Sequence, residues 1–176
     1  MSVTRKLLTA AAAVLLISGA ACASKPKGDT TGPGDVSTGP GPGTGVDTGS
    51  MAPIPGSVND FVVNVGDRVY FDLDEYMIRP DARPILEAQA EWLNRYRSVR
   101  VRLEGNADER GTREYNFALG GRRANAVREF LIARGVDPAR IETISYGKER
   151  PIDPGSNEEA WARNRNTHTA ITGGAR

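Results

Sequence analysis

Between Ala23 and Ser57 the chain reads ASKPKGDTTGPGDVSTGPGPGTGVDTGSMAPIPGS, 35 residues with nine glycines, six prolines and no aromatic side chain. Such a stretch cannot bury enough apolar surface to offset the entropy of ordering it. It reads as a linker, stiffer than a Gly/Ser chain because of its prolines, with a root-mean-square span of ~30–35 Å and a stretched reach of roughly 115 Å. Any packed fold must therefore come from the residues that follow. Every aromatic residue of the chain lies beyond Val58, which sets the expected domain at 58–176.

Ahead of the linker stands a targeting pattern. Arg5 and Lys6 supply a positive n-region, LLTAAAAVLLI (Leu7–Ile17) an apolar h-region, and SGAA a small-residue end directly before Cys22. The apolar run is short of the ~20 residues a membrane-spanning helix needs, so residues 1–21 are expected to be a signal peptide. Cys22 is the only cysteine; without a partner in the chain it is free, intermolecular or modified. Its position resembles the lipobox of bacterial lipoproteins, with Gly19 where leucine is usual. That resemblance implies diacylation of the Cys22 thiol, removal of the signal peptide and acylation of the new N-terminus, with palmitate among the acyl chains. Two or more acyl chains anchor stably where one is marginal. Residues 22–57 are then a lipidated cysteine and its leash.

Charge excludes one large class of partner. The chain carries 23 basic and 22 acidic residues; seven of these fall before Val58, leaving 19 of each sign in the domain. A domain with no net charge is a poor match for a phosphate backbone, so no nucleic-acid partner is expected.

Within the domain, FVVNVGDRVYFDL (Phe61–Leu73) is β-branched and aromatic and predicts one or two short strands. Pro80 opens a helical pattern with Ile85, Leu86, Ala90, Trp92 and Leu93 on its apolar side. VRVRLEG (Val99–Gly105) alternates as a half-buried strand does. Thr112 is placed to cap a helix running to about Arg134, with Phe117, Gly120, Ala124, Val127 and Leu131 on its inner face and Gly135 as its stop. ARIETISYG is a further strand, Asn157–Arg163 a short helix and NTHTAIT a last strand. Strands separated by helices give a two-layer α/β sandwich whose strand order the pattern leaves open.

The densest run of charge, LEGNADERGTREYNFALGGRRA (Leu103–Ala124), carries the functional question. Asp108 and Glu109 are adjacent carboxylates, but sequence neighbours point apart and no histidine or serine partner stands near. His168, the one histidine, lies in the last strand and reads as structural or surface. There is no metal-ligand spacing, no phosphate-cradling GxxxxGK[ST] and no nucleophile elbow. No catalytic residue, metal or cofactor is expected. Glu104, Arg113, Glu114 and Arg128 read as ordinary solvated surface, and Glu109 and Arg110 as shaping the turn. Asp108 is different, because it sits in a strand-to-helix loop where main-chain N–H groups begin to point outward. On the following helix Asn116, Leu119 and Arg123 form one stripe at i, i+3 and i+7. A carboxylate on the loop and a guanidinium two turns into the helix can flank one cleft. Such a cleft suits a zwitterion, since the planar fork of arginine grips both oxygens of a carboxylate.

The same run closely resembles the core motif of the peptidoglycan-associated lipoproteins (Pal), a branch of the OmpA-like C-terminal domain family. VYFDLDEYMI (Val69–Ile78) is similar to that family's first signature, ISYGKERP (Ile144–Pro151) to its third and AWARNR (Ala160–Arg165) to its closing one. DERG together with SYGKERP points to the Pal branch. The resemblance implies an OmpA-like α+β fold, a two-layer sandwich with a mixed sheet and helices packed on one face. It further implies non-covalent binding of peptidoglycan through stem-peptide diaminopimelate. Asp108 would accept the ammonium group and Arg123 would hold a carboxylate; Asn106, Leu119, Leu73 and Asp74 would line the pocket, and Asn116 would brace the loop. Asn106 stands where many relatives have histidine. The resemblance implies lipid anchoring in the outer membrane facing the periplasm, TolB and other Tol proteins as partners, and a role in envelope integrity and cell division. A competing expectation keeps the fold but makes the chain chiefly a periplasmic protein–protein adaptor.

Overall fold

The computed structural model describes residues 52–176; the expected signal peptide, Cys22 and most of the linker lie outside the described residues. The folded body begins slightly before Val58. The Gly56 N–H donates to Asp60 Oδ2 at 2.8 Å, and the Ser57 hydroxyl accepts from the Asp60 N–H at 3.1 Å, capping a short helix α1 (Val58–Asp60).

The strand expected from Phe61 is instead helical. Phe61–Val65 form a single π-turn, closed by the Gly66 N–H on the Phe61 carbonyl at 2.9 Å. The local reason is Asp60, which accepts from Asn64 Nδ2 four residues on at 2.8 Å and from Trp92 Nε1 at 2.8 Å. The first bond needs a helical spacing that a strand cannot provide. Phe61 then turns inward onto Trp92, with ring centroids 4.9 Å apart, and leaves Val62 and Val63 exposed. Only Arg68–Tyr70 remain as strand β1.

A 3₁₀ turn at Pro80–Ala82 leads into α2 (Arg83–Arg95), followed by β2 (Arg100–Asn106), α3 (Arg113–Ala133), β3 (Ile141–Gly147), α4 (Glu158–Asn164) and β4 (Asn166–Gly173). Thr112 caps α3 by accepting the Tyr115 N–H at 3.2 Å. At the other end Val136 N–H reaches the Leu131 carbonyl, and Gly135 N–H the Ile132 carbonyl, with Gly135 at φ +87°. This is the paired C-terminal motif that requires a left-handed residue. The sheet order is β1-β4-β2-β3, with β2 and β3 parallel across the α3 crossover and β4 antiparallel to both β1 and β2. Helices α2 and α3 cover one face, enclosing Leu86, Leu93, Val101, Leu103, Ala124, Val127 and Leu131.

Two expectations about faces need correction. Phe117 is not on the buried side of α3; it is 59% exposed. The buried stripe is Asn116, Leu119, Gly120, Arg123, Ala124, Val127 and Leu131, a helical repeat that includes two polar residues. Glu104 is not ordinary surface either. On the uncovered face of the sheet it accepts from Arg102 Nη2 at 2.7 Å and meets His168 Nδ1 at 3.0 Å, while His168 Nε2 meets Asp67 at 3.1 Å.

One close approach sets the position of α3 over the sheet. A Cβ on Gly105 would lie 1.8 Å from the Gly120 carbonyl oxygen, so strand and helix meet there through bare backbone.

Candidate functional site

Strand β2 ends at Asn106 and α3 begins at Arg113, leaving a short loop that carries Asp108. A cavity of ≈ 290 Å³ opens between this loop, the first turns of α3 and the segment after β1. Asp108, Asn116, Leu119 and Arg123 all line it, as do Leu73 and Asp74. Six of the seven residues expected to form a ligand site thus surround one cavity. Asn106 departs from that expectation. It is not among the lining residues; its side-chain amide donates to the Glu104 carbonyl at 3.0 Å and to Asn166 Oδ1 at 3.1 Å. Its contribution comes from the main chain, where its carbonyl accepts from Arg123.

Arg123 is fully buried, at the floor of the cavity. Its guanidinium donates to three main-chain carbonyls: Glu75 at 2.7 Å, Asn106 at 2.8 Å and Asp72 at 3.1 Å. The Phe71 ring lies beneath it, 5.2 Å away. Three of its five N–H donors are therefore committed, which fixes the plane of the fork. Burial, and after it the nearby positive charge of Arg165, push its pKa down to about 10 against the opposing pull of Asp108 and Asp74. It is still charged at neutral pH.

Asp108 is 5% exposed and heavily engaged. Oδ1 accepts from the Arg110 N–H at 3.1 Å and from Arg110 Nε at 3.2 Å; Oδ2 accepts from Arg110 Nη2 at 2.8 Å and Arg165 Nη1 at 3.2 Å. Burial pushes its carboxyl up, but these bonds from Arg110 and Arg165 outweigh it and hold the group below the ordinary aspartate range. An ionised carboxylate offers about four lone-pair directions, and here four donors fill them.

The two arginines also share Glu158 at the start of α4: Arg165 Nη2 at 2.8 Å and Arg110 Nη1 at 3.6 Å. Two acids and two bases thus close a ring that ties the loop to α4. Arg110 additionally stacks on Trp161, 4.1 Å from the ring centroid, and Trp161 Nε1 donates to Glu109 at 2.9 Å. Asn116 braces the loop by donating to the Arg110 carbonyl at 2.7 Å. On the far wall Asp74 adopts φ +60°, a left-handed conformation that aspartate tolerates better than most residues. Its carboxylate accepts the Tyr115 hydroxyl across the cavity mouth.

Arg110, Arg165 and Tyr115 were not among the expected site residues. Arg110 reads as a turn residue by position, and it is that as well. Arg165 caps the end of α4, 57 residues away in sequence, so nothing local marks it as a partner of Asp108. Among the described residues no His, Cys, Asp or Glu group could hold a metal ion, and no helix is long and apolar enough to cross a membrane.

The chain is similar to known proteins. Residues 70–165 match the model of the OmpA family. The chain is 52% identical over 125 residues to a peptidoglycan-associated lipoprotein of Mesorhizobium japonicum, covering 71% of this chain and 74% of that relative. It is 49% identical over 157 residues to a protein of the same name from Brucella melitensis, covering 89% and 87%. Among solved structures, the crystal structure of the peptidoglycan-associated lipoprotein from Burkholderia pseudomallei aligns with TM-score 0.59 at 41% identity, over 60% of this chain and 89% of that one. The C-terminal domain of Helicobacter pylori MotB shares the fold, with TM-score 0.57 at 24% identity over 61% of this chain and 84% of that one. The chain therefore belongs to the OmpA family and, within it, to the peptidoglycan-associated lipoproteins.

Proposed function

We propose that the cavity binds the zwitterionic end of stem-peptide diaminopimelate, so that the protein holds peptidoglycan non-covalently. The observation that carries this reading is the placement of Asp108 and Arg123, opposite charges on one small cavity, with the guanidinium fixed before any ligand arrives. Arg123 keeps two N–H groups for a carboxylate, Asp108 supplies the anionic end for an ammonium group, and Leu73 and Leu119 offer apolar walls to the methylene chain between them. A site whose donors are already ordered loses little entropy on binding. Acylation of Cys22 would add an outer-membrane anchor, and the leash would let the domain reach the wall from it. TolB and the other Tol proteins are the partners that family membership brings, with support of envelope integrity and cell division as the outcome.

Retention on purified sacculi tests the reading. Asp108→Asn is nearly isosteric and removes the charge; it should weaken retention at least tenfold, equivalent to about 1.4 kcal/mol. Retention equal to wild type would rule out Asp108 as the ammonium site. If the wall is bound by neither protein and periplasmic cross-linking yields a protein partner instead, the adaptor role takes its place. Mass spectrometry of the mature N-terminus reads the acylation of Cys22 directly.

A further inference from the structure

The Asp108 carboxylate has no acceptor position left for an incoming ammonium group, because four donors already occupy it. Three of those four come from Arg110. We infer that the Arg110 side chain is a resident stand-in for the ligand's ammonium group, displaced from Asp108 when a cationic ligand enters, and that it sets which ligands the site admits. This rests on the ligand class proposed above and adds to it the exchange by which that ligand is admitted.

Arg110, rather than Arg165, is the group free to leave. The Arg165 side chain is 8% exposed, also donates to the Phe71 carbonyl at 3.2 Å, and is held by Glu158. The Arg110 side chain is 35% exposed and lines the cavity itself. Its alternative partners are already in place, with the Glu158 carboxylate at 3.6 Å and the Trp161 ring at 4.1 Å. Swinging away from Asp108 would give up that pair, close the remaining one with Glu158 and keep the stacking contact. The Asp108 end of the pair is buried, so Arg110 can leave only as the incoming ammonium group takes its place, while its own head moves toward the exposed Glu158.

The charge count favours the same event. Asp108 and Glu158 balance Arg110 and Arg165 in the closed ring. An ammonium group that entered without displacing Arg110 would add a third positive charge against Asp108. One that displaces it leaves two cations on Asp108, as before, with Arg110 still beside Glu158 and the ligand's own carboxylate bringing the balancing negative charge. The main-chain Arg110 N–H bond to Asp108 does not depend on the side chain. The loop therefore keeps its shape through the exchange.

The test compares wild type with Arg110→Ala, by calorimetric titration of three soluble tripeptides. The first ends in meso-diaminopimelate; the second ends in 2-aminopimelate, which lacks the side-chain ammonium; the third ends in lysine, which lacks the side-chain carboxylate. Removing the stand-in should tighten the first and third about three- to tenfold, because the ammonium group no longer competes with the guanidinium for Asp108, and leave the second unchanged. In wild type, the Arg110 Nε–H resonance should shift on saturation with the diaminopimelate peptide while that of Arg165 stays. Weaker binding by Arg110→Ala would mean that Arg110 holds the ligand itself, and equal binding would make it a bystander; either result overturns the inference while leaving the ligand class intact. An unmoved Arg110 resonance would also overturn it. No binding of the diaminopimelate peptide by either protein overturns both the inference and the ligand class.

Discussion

Gly120 and Gly121 are neighbours in the middle of α3, and alanine at the two positions should have opposite effects. In a helix interior, alanine is favoured over glycine by about 0.8–1.0 kcal/mol, and that gain is common to both sites. At Gly121 the added Cβ would meet nothing nearer than Ser145 Cβ at 3.9 Å, an ordinary contact. At Gly120 it would lie 2.5 Å from Ser145 Oγ and 2.7 Å from the Gly105 carbonyl oxygen. The serine is not free to turn aside without loss, since its hydroxyl donates to the Phe117 carbonyl at 2.6 Å. The Gly105 carbonyl belongs to β2, which is paired on both sides by β4 and β3, and cannot retreat. To reach an ordinary 3.4 Å separation from that oxygen, α3 would have to lift by about 0.7 Å. Overpacking of this kind costs ~1–3 kcal/mol, which outweighs the propensity gain. Gly121→Ala is therefore expected to stabilise by up to about 1 kcal/mol and Gly120→Ala to destabilise by up to ~2 kcal/mol. Urea denaturation with an unchanged m-value reads the difference directly, and melting temperatures should separate by roughly 10 °C. Arg123 sits one turn beyond Gly120 on the same buried stripe, so the destabilised variant should also lose ligand affinity. Equal stabilisation by both alanines would refute the close backbone contact and, with it, the account of what holds α3 at this height over the sheet.

Asp60 accepts from Gly56 N–H, Trp92 Nε1 and Asn64 Nδ2, and these bonds, in that order, hold its carboxyl below the ordinary range. A depressed folded-state pKa stabilises above the unfolded value of ~3.9 and is lost as pH falls through the folded one. Asp60→Asn should therefore lower stability at neutral pH by ~1–3 kcal/mol and flatten the acid limb of stability against pH; an unchanged acid limb would contradict the assignment. Arg140 donates to the carbonyls of Val99 at 2.8 Å, Leu93 at 2.9 Å and Tyr96 at 3.1 Å, closing the C-terminal end of α2 onto the sheet. Arg140→Lys should cost ~1–3 kcal/mol in urea unfolding, because a point ammonium cannot reproduce the spread of the guanidinium fork; full stability of the lysine variant would count against that arrangement.

Much of the fold is legible in the sequence wherever periodicity and end signals agree. Thr112 and Gly135 bracket α3 as their chemistry requires, and the alternation of Val99–Gly105 yields a central strand. Legibility fails where a polar residue does a core residue's work. Counting only apolar side chains along α3 rotates its inner face toward Phe117, because Asn116 and Arg123 occupy buried places that hydrophobicity does not mark. Phe61–Val65 has strand-like composition, yet its conformation is set by Asp60, whose partner Trp92 lies 32 residues away. The site shows the same division. Asp108 and Arg123 stand out by type and spacing, whereas Arg165 reaches Asp108 only through the return of β4 to the middle of the sheet, a pairing that no local pattern announces.

The burial of Arg123 is the feature that stability alone does not explain. Its neighbours in the buried stripe of α3 include Leu119, Ala124 and Val127, and an apolar side chain of similar volume would fill the same space. Replacing buried charge by such a residue is often neutral or stabilising, because desolvation of the charge is avoided. Here the desolvated guanidinium is met by three main-chain carbonyl dipoles from two separate segments, the end of β2 and the turn after β1. Those bonds compensate for lost water, but they do not neutralise the charge. The Asp108 carboxylate is the opposite case: a buried anion fully neutralised by two arginines. The cavity therefore has one end with an uncompensated positive charge and one end where a positive charge is already seated. A carboxylate improves the first end on arrival, and an ammonium group must compete for the second. A ligand carrying both groups gains at Arg123 what it gives up in displacing Arg110 from Asp108, whereas a lone amine has no such offset. That asymmetry follows from where the fold places its carbonyls and arginines, and it gives a physical basis for choosing a zwitterion over a lone amine.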